Sequence, residues 1–307
     1  MKKVLLLTLM TLAFFPWASA QEEGTASFSP VYVPQFKSEL PEGVRETSGL
    51  FFYNDRLWTH NDSGGKPILY ALDTATFEIV QRITIGNAKN KDWEDVCMDD
   101  KTVYVGDFGN NKGGRKDLRI YTFPLSALPE EGDASLTADS ITFRYCDQTE
   151  FDFKKYEHDF DCEAMFAGDS CLYLFSKCWV TGTTRLYRLP KTPGDYVAEV
   201  VNGFDSQGLI TGADYDRKNH VLVLVGYVKT IWKPFMYLIY DFDEAGVKLS
   251  NRRIEMPQLA GAQTEGICFF DEGLCYVSAE TSPTMTSRIF VADFRKWIEE
   301  AMKDKEE

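Results

Sequence analysis

The chain is poor in the residue patterns that many chemistries require. Its three histidines, His60, His158 and His220, lack ligand spacing, and no CxxC pair occurs, so a zinc site is not expected. No P-loop, GxSxG elbow or HExxH helix is present, which removes those hydrolase mechanisms, and neither a nucleotide nor a haem site is expected. Basic charge is short as well: 33 Lys and Arg face 47 Asp and Glu, a net charge of −14. That balance argues against nucleic-acid partners, because phosphate recognition needs clustered cations. An acidic surface of this kind mostly keeps a protein soluble.

Long apolar runs are missing after the first twenty residues, so no membrane span is expected in the mature chain. MKKVLLLTLMTLAFFPWASA has a basic start at Lys2 and Lys3, an apolar stretch from Val4 to Phe15, and the small-residue pattern Ala18-Ser19-Ala20. These are the parts of a secretory signal peptide over residues 1–20. With no Cys at the cleavage site, a lipid anchor is not expected there. The mature chain then begins at Gln21 as one domain over 21–307, exported to the periplasm or the exterior. Seven cysteines leave at least one thiol free. Cys97, Cys268 and Cys275 sit in apolar strand patterns and read as small buried hydrophobes. Cys146, Cys162, Cys171 and Cys178 lie close together and could supply one or two bridges.

What is present is a repeat. The phrase DWEDVCMDDKTVYVGDFGNN (92–111) returns as DCEAMFAGDSCLYLFSK (161–177) and TEGICFFDEGLCYVSAE (264–280). Tyr104 follows Glu94 at the spacing by which Tyr173 follows Glu163 and Cys275 follows Glu265. Ser48 to Trp58 and Gly212 to Leu222 keep the same spacing. Each copy reads as a strand, a tight polar turn such as YNDR or MDDK, and a second strand rich in β-branched and aromatic residues. Third strands follow in all five copies and fourth strands in four. PVYVPQF (30–36) is available to close the last copy, and RKWIEEAMKDKEE reads as a C-terminal helix. A phrase recurring about every fifty residues predicts an all-β fold, a five-bladed β-propeller of four-stranded blades. The blades fall near 46–86, 92–146, 161–204, 209–256, and 263–294 with 30–36. Trp58, Tyr104, Tyr173 and Tyr276 are expected to pack between them.

In such a blade the loops alternate between two faces. One receives the plain turns. The other receives 60–66, 107–115, 176–184, 226–233 and 278–287, with the crossings 87–93, 152–161, 202–211 and 257–264. That face gathers the ligand-binding candidates: His60, Asn61, Asp62, Trp93, Asn110, Arg115, Lys177, Tyr227 and Glu280. Ser48, Glu94, Glu163, Gly212 and Glu265 open the innermost strands and border a central channel. Three converging carboxylates repel: at about 6 Å and an effective dielectric near 20, each pair costs roughly 3 kcal/mol. Ca²⁺ held by Glu94, Glu163, Glu265 and Asp107, with Asn61, Asp62 and Asn110 nearby, would offset this. Arg115 or Lys177 reaching in, or raised carboxylate pKa values, would serve as well. A carboxylate accepting backbone N–H groups at a blade junction is the competing structural explanation of Glu94 and its counterparts.

ETSGL…LWTHNDSGG…LYALD, DWEDVCMDD…VYVGDFGNN…R, DCEAMF…LYLFSK, LITGADYD and QTEGICFF…YVSAE together resemble a family of secreted bacterial β-propeller proteins. It is similar at superfamily level to phytase-like, SdiA-regulated and strictosidine-synthase-type propellers. The resemblance spans residues 40–295 and implies a propeller and an exported protein. Calcium-dependent phosphatases and lactonases on propellers keep acidic and amide ligands at the channel mouth, positions that Glu94, Glu163 and Glu265 match in type. Three functions are compatible with these residues. One is a binding module for a small polar ligand, a glycan or an envelope protein. Another is a metal-assisted hydrolase with His60 or Asp107 as acid or base. The third is an envelope scaffold.

Overall fold

The computed structural model describes residues 29–240, 242–244 and 249–303; the signal peptide expected over 1–20 lies outside the described residues. Strands dominate. In chain order they are β1 (Gln35–Glu39), β2 (Thr47–Tyr53), β3 (Arg56–Asn61), β4 (Ile68–Asp73), β5 (Ile79–Ile85), β6 (Trp93–Met98) and β7 (Thr102–Asp107). Then come β8 (Leu118–Pro124), β9 (Ala134–Leu136), β10 (Asp139–Tyr145), β11 (Asp161–Ala167), β12 (Cys171–Lys177), β13 (Thr184–Pro190) and β14 (Gly194–Phe204). The last are β15 (Leu209–Asp216), β16 (Val221–Val228), β17 (Lys233–Tyr240), β18 (Ser250–Glu255), β19 (Gln263–Asp271), β20 (Leu274–Glu280) and β21 (Arg288–Asp293), followed by the helix α1 (Arg295–Lys303). The hairpins turn where the sequence places its Asx and Gly residues. Asn54 and Asp55 both take positive φ (54° and 55°), the pair that a two-residue turn matched to strand twist requires.

These strands form sheets in the orders β2-β3-β4-β5-β9, β15-β16-β17-β18 and β19-β20-β21-β1, and one sheet of eight, β6-β7-β8-β10-β14-β13-β12-β11. The first strands lie side by side in a closed round, with β2 against β6, β6 against β11, β11 against β15, β15 against β19, and β19 against β2. Apolar clusters fill the spaces between successive groups. Trp58 and Phe51 pack with Val96 and Phe123, Tyr104 with Met165, Phe166 and Tyr173 with Leu222, Val225 with Val277, and Tyr276 with Leu50 and Leu72. Trp58, Tyr173 and Tyr276 therefore pack between sheets as expected, while Tyr104 packs between the two halves of the eight-stranded sheet. The inner backbones come close: a Cβ at Gly266 would strike the Ser48 carbonyl. This all-β arrangement is consistent with a propeller.

Three features depart from the sequence reading. The closing strand is Gln35–Glu39, pairing antiparallel with β21, and not 30–36. Residues 30–32 instead run along β18, where Tyr32 N–H reaches Glu255 O at 2.9 Å and Glu255 N–H reaches Pro30 O at 2.9 Å. Second, two expected units are joined, because β14 is long enough to serve two partners. Its residues 194–198 pair in parallel with β10, and residues 199–204 pair with β13. Third, part of the surplus between the second and third copies forms β9, which adds a parallel strand to β5 while Gln81 Nε2 reaches back to Gly132 O at 2.7 Å. Both additions cover strand edges that would otherwise present unpaired backbone groups.

All seven cysteines are free. The bridges expected from Cys146, Cys162, Cys171 and Cys178 do not form. Cys162 and Cys178 are buried and turn their thiols to the backbone oxygens of Phe175 (3.5 Å) and Asp159 (3.7 Å). Among the described residues, no helix is long and apolar enough to cross a membrane.

Candidate functional site

Each inner strand carries an irregularity at the repeated position. β6 pairs with β7 as Trp93↔Asp107 and then Asp95↔Gly106, so Glu94 is an extra residue; Glu163 is the extra residue between Cys162 and Ala164. In β2 and β19 the irregular pairs are Ser48-Gly49 and Glu265-Gly266, and in β15 it is Thr211. Such bulges bend a strand and re-aim a side chain. Thr211, not Gly212, is thus the fourth counterpart: its Oγ1 donates to Thr264 O (2.7 Å), as the Ser48 hydroxyl does to Glu94 O across the opposite seam. The fixed spacing misaligned this copy by one residue because β15 runs one residue further between its bulge and its turn, Gly212 to Asp216 against Asp95 to Met98 in β6.

The bulges open onto a cavity of about 390 Å³. Glu94, Glu163 and Glu265 line it, only 4, 4 and 6 % exposed. Lys177, the last residue of β12, reaches in and pairs with Glu163, its ammonium 4.7 Å from the Trp179 ring and 5.3 Å from the Tyr227 ring. Gln263 donates to Glu265 Oε1 at 2.8 Å and also to Glu280. Two of the three repeat glutamates therefore have partners. Among the described residues the Glu94 carboxylate has none. It faces Asp62 and Asp92, with carboxylate oxygens of all three within 4.8 Å of one another. The 107–115 loop passes so close that a Cβ on Gly109 would meet the Asp92 carboxylate at 2.6 Å and strike Glu94, so a larger residue there would displace both carboxylates.

Burial sets the electrostatics. It raises Glu94 well above the usual carboxylate range, and Glu163, Asp62, Asp92 and Asp161 add to the rise. Asp62 is pushed up to about 7 by burial, then by Asp92 and Glu265; Asp92 is pushed up to about 6 by burial and by Asp161. Burial raises Glu163 and Glu265 too, against the pull of Lys177. Burial alone would lower Lys177, yet Glu163 and the surrounding acids outweigh it and hold the ammonium charged. Glu280 rises to about 9, through burial and then Glu265.

Of the remaining sequence candidates, Tyr227 and Asp62 line the cavity, and the others stand outside its lining. His60 is fully buried edge-on to Trp93 (5.6 Å), its Nδ1 is 3.0 Å from Asn61 O, and burial lowers it to about 4. Trp93 is also fully buried and donates to Lys89 O at 3.0 Å. Neither lines the cavity. Asn61 spends its amide on Gly43 O (2.9 Å) and Glu46 N–H (3.2 Å). Asn110 bonds Phe160 O (2.9 Å) and Arg115 N–H (2.9 Å). Arg115 holds Asp107 at 3.0 Å and the carbonyls of Gly109 and Asp107, so Asp107 belongs to this loop lock and not to the acidic group at Glu94.

The residues that sequence reasoning missed are Asp92, Asp161 and Gln263. Each lies two residues before a repeat glutamate, and alternation puts such pairs on one face of a strand. The same offset in three copies was a readable signal. Tyr156 was also missed; it lines the mouth from the 152–161 crossing and gives no repeat signal.

No family model matches the chain, and no curated protein matches it. Among solved structures it is similar to the PQQ-bound aldose sugar dehydrogenase of Streptomyces coelicolor: 10 % identity, 87 % of this chain and 99 % of that one, TM-score 0.48. A glucose dehydrogenase shows 8 % identity, 83 and 98 % coverage, and a TM-score of 0.46. A luciferin-regenerating enzyme shows 9 % identity, 80 and 91 % coverage, and a TM-score of 0.41. Likeness at this level carries no argument about activity.

Proposed function

We propose that the chain is an exported five-bladed β-propeller whose loop-rich cavity binds a small polar ligand, with Ca²⁺ held by Asp62, Asp92 and Glu94. The closed round of inner strands and the apolar fillings between successive groups support the blade count. A cavity of about 390 Å³ suits a small molecule better than a protein side. The observation that carries the metal reading is the division of the glutamates: Lys177 answers Glu163, Gln263 answers Glu265, and among the described residues Glu94 is left with two more acids and no partner. Buried charge without a partner is costly, and a hard cation with oxygen ligands removes that cost. Calorimetry with CaCl₂ tests this. Stoichiometric binding that Glu94→Gln abolishes supports it, and heats indistinguishable from dilution in the wild type would sink it.

A second reading, metal-assisted hydrolysis, is favoured by Asp62. Its carboxyl lines the cavity and belongs to the acidic group with Asp92 and Glu94, whereas His60 does neither. Ca²⁺ at the acidic group would polarise a bound carbonyl or phosphoryl oxygen. Screening phosphate esters, lactones and aryl esters with and without Ca²⁺ separates the two readings. Calcium-dependent turnover lost in Asp62→Asn favours the enzyme. Binding without turnover favours the module.

A further inference from the structure

The cavity has a second chemical character at its rim. Tyr156 and Trp179 pack there with ring centroids 4.2 Å apart and planes inclined at 41°. Lys155 lies 4.4 Å from the Tyr156 ring, and Lys229 lies 4.7 Å from Trp179 and 5.3 Å from Tyr156. With Lys177 below, three ammonium groups line one cavity of a chain whose net charge is −14. Lys177 has Glu163. Among the described residues, Lys155 and Lys229 have no carboxylate partner, and both line the cavity. Two aromatic residues lining the same mouth, Tyr156 (φ 66°) and Trp232 (φ 40°), hold left-handed backbone that bulky side chains seldom adopt. Strain of this kind persists where surrounding structure enforces it and gathers at ligand clamps.

We propose that the ligand is a small anionic polyol, a sugar carrying a carboxylate or phosphate, whose negative group is held by Lys155 and Lys229. This deepens the binding-site reading and rests on it. The Tyr156–Trp179 pair offers apolar surface to the C–H groups of a polyol. Asp62, Glu163 and Glu265 below it accept hydroxyl hydrogens. A cationic ligand would meet two uncompensated ammonium groups on entry, while an anion pairs with both at no cost to an existing ion pair.

The test is titration of the Ca²⁺-loaded protein with sodium glucuronate, glucose 6-phosphate, glucose and glucosamine, followed by calorimetry and tryptophan fluorescence. Glucuronate, glucose 6-phosphate or both should bind about tenfold or more tighter than glucose, and glucosamine weakest. The two anions distinguish a carboxylate site from a phosphate site. Lys155→Ala with Lys229→Ala should erase that preference, and the double Arg variant should keep it. Lys218→Ala with Lys296→Ala makes the same charge change at side chains 77 and 84 % exposed elsewhere and should have no effect. Glucose binding as tightly as the anions, or a preference surviving loss of both rim lysines, overturns the anion inference and leaves the binding-site reading standing. No binding by any of the four overturns both.

Discussion

Glu94 and Asp95 are neighbours in sequence and both are buried, yet they belong to different parts of the molecule. Asp95 stands for the staples between inner strands. Its carboxylate accepts Val96 N–H (2.8 Å) and, from the next strand of the round, Met165 N–H (2.7 Å). Asp214 does the same with Tyr215 N–H and Phe269 N–H, both at 2.8 Å. Glu94 stands for the cavity group, whose carboxylates face other carboxylates, a lysine or an amide. Burial raises the pKa of both kinds. Backbone N–H donors oppose the rise at Asp95, while further acids reinforce it at Glu94. A buried acid that meets N–H groups is part of the scaffold; one that meets other acids is poised for something to arrive. The structural explanation offered for Glu94 from sequence thus describes the residue beside it.

The comparison can be broken by substitution. The largest effect is expected from Asp95→Ala, which leaves two buried N–H groups without acceptors and should cost about 4 kcal/mol. Urea unfolding measures it, and an unchanged midpoint would erase the distinction between staple and cavity acids. Next is Glu163→Gln. It strands the Lys177 ammonium, 3 % exposed, and should cost about 3 kcal/mol; Glu163→Gln with Lys177→Met should recover most of the loss. Smaller and opposite in sign is Glu94→Gln, which removes repulsion and should stabilise the Ca²⁺-free protein by about 1 kcal/mol while weakening Ca²⁺ binding. Destabilisation by this change in a chelating buffer would count against an unpartnered Glu94.

The finest distinction is in pH. Burial raises Asp214 to about 6 and Glu280 to about 9, both above their unfolded values. In the folded state each binds its proton more tightly than in the unfolded chain. The stability it contributes is complete below about pH 4 and fades as pH rises through the folded pKa. Asp214 therefore sheds its contribution by about pH 6, and Glu280, bonded to Gln263 beside the cavity, only by about pH 9. With Asp92 raised to about 6 and Asp62 to about 7, the Ca²⁺-free protein should lose stability throughout pH 5 to 9 and most steeply at the acid end, as unfolding measures it. Glu280→Gln should lessen the slope over the whole range.

Much of the architecture could be read from the chain because strand alternation, turn residues and a recurring phrase are local signals. The hairpins, the loop-bearing face and the convergence of residues 94, 163 and 265 all follow from them. The loop lock of Arg115 with Asp107 was not readable, since it depends on where the 107–115 loop folds back. The burial of His60 and Trp93 behind the cavity wall was equally hidden. Free cysteines where bridges were open to form, and β14 shared between two sheets, likewise depend on which backbones meet.

By itself the sequence determined the rhythm: which segments are strands, where they turn, and which acids stand at equivalent places. Tertiary structure decided which of those acids is left without a partner. That depends on a lysine, an amide and a glycine loop converging from distant stretches, and electrostatic pairing is fixed by distances in space that no spacing along the chain encodes.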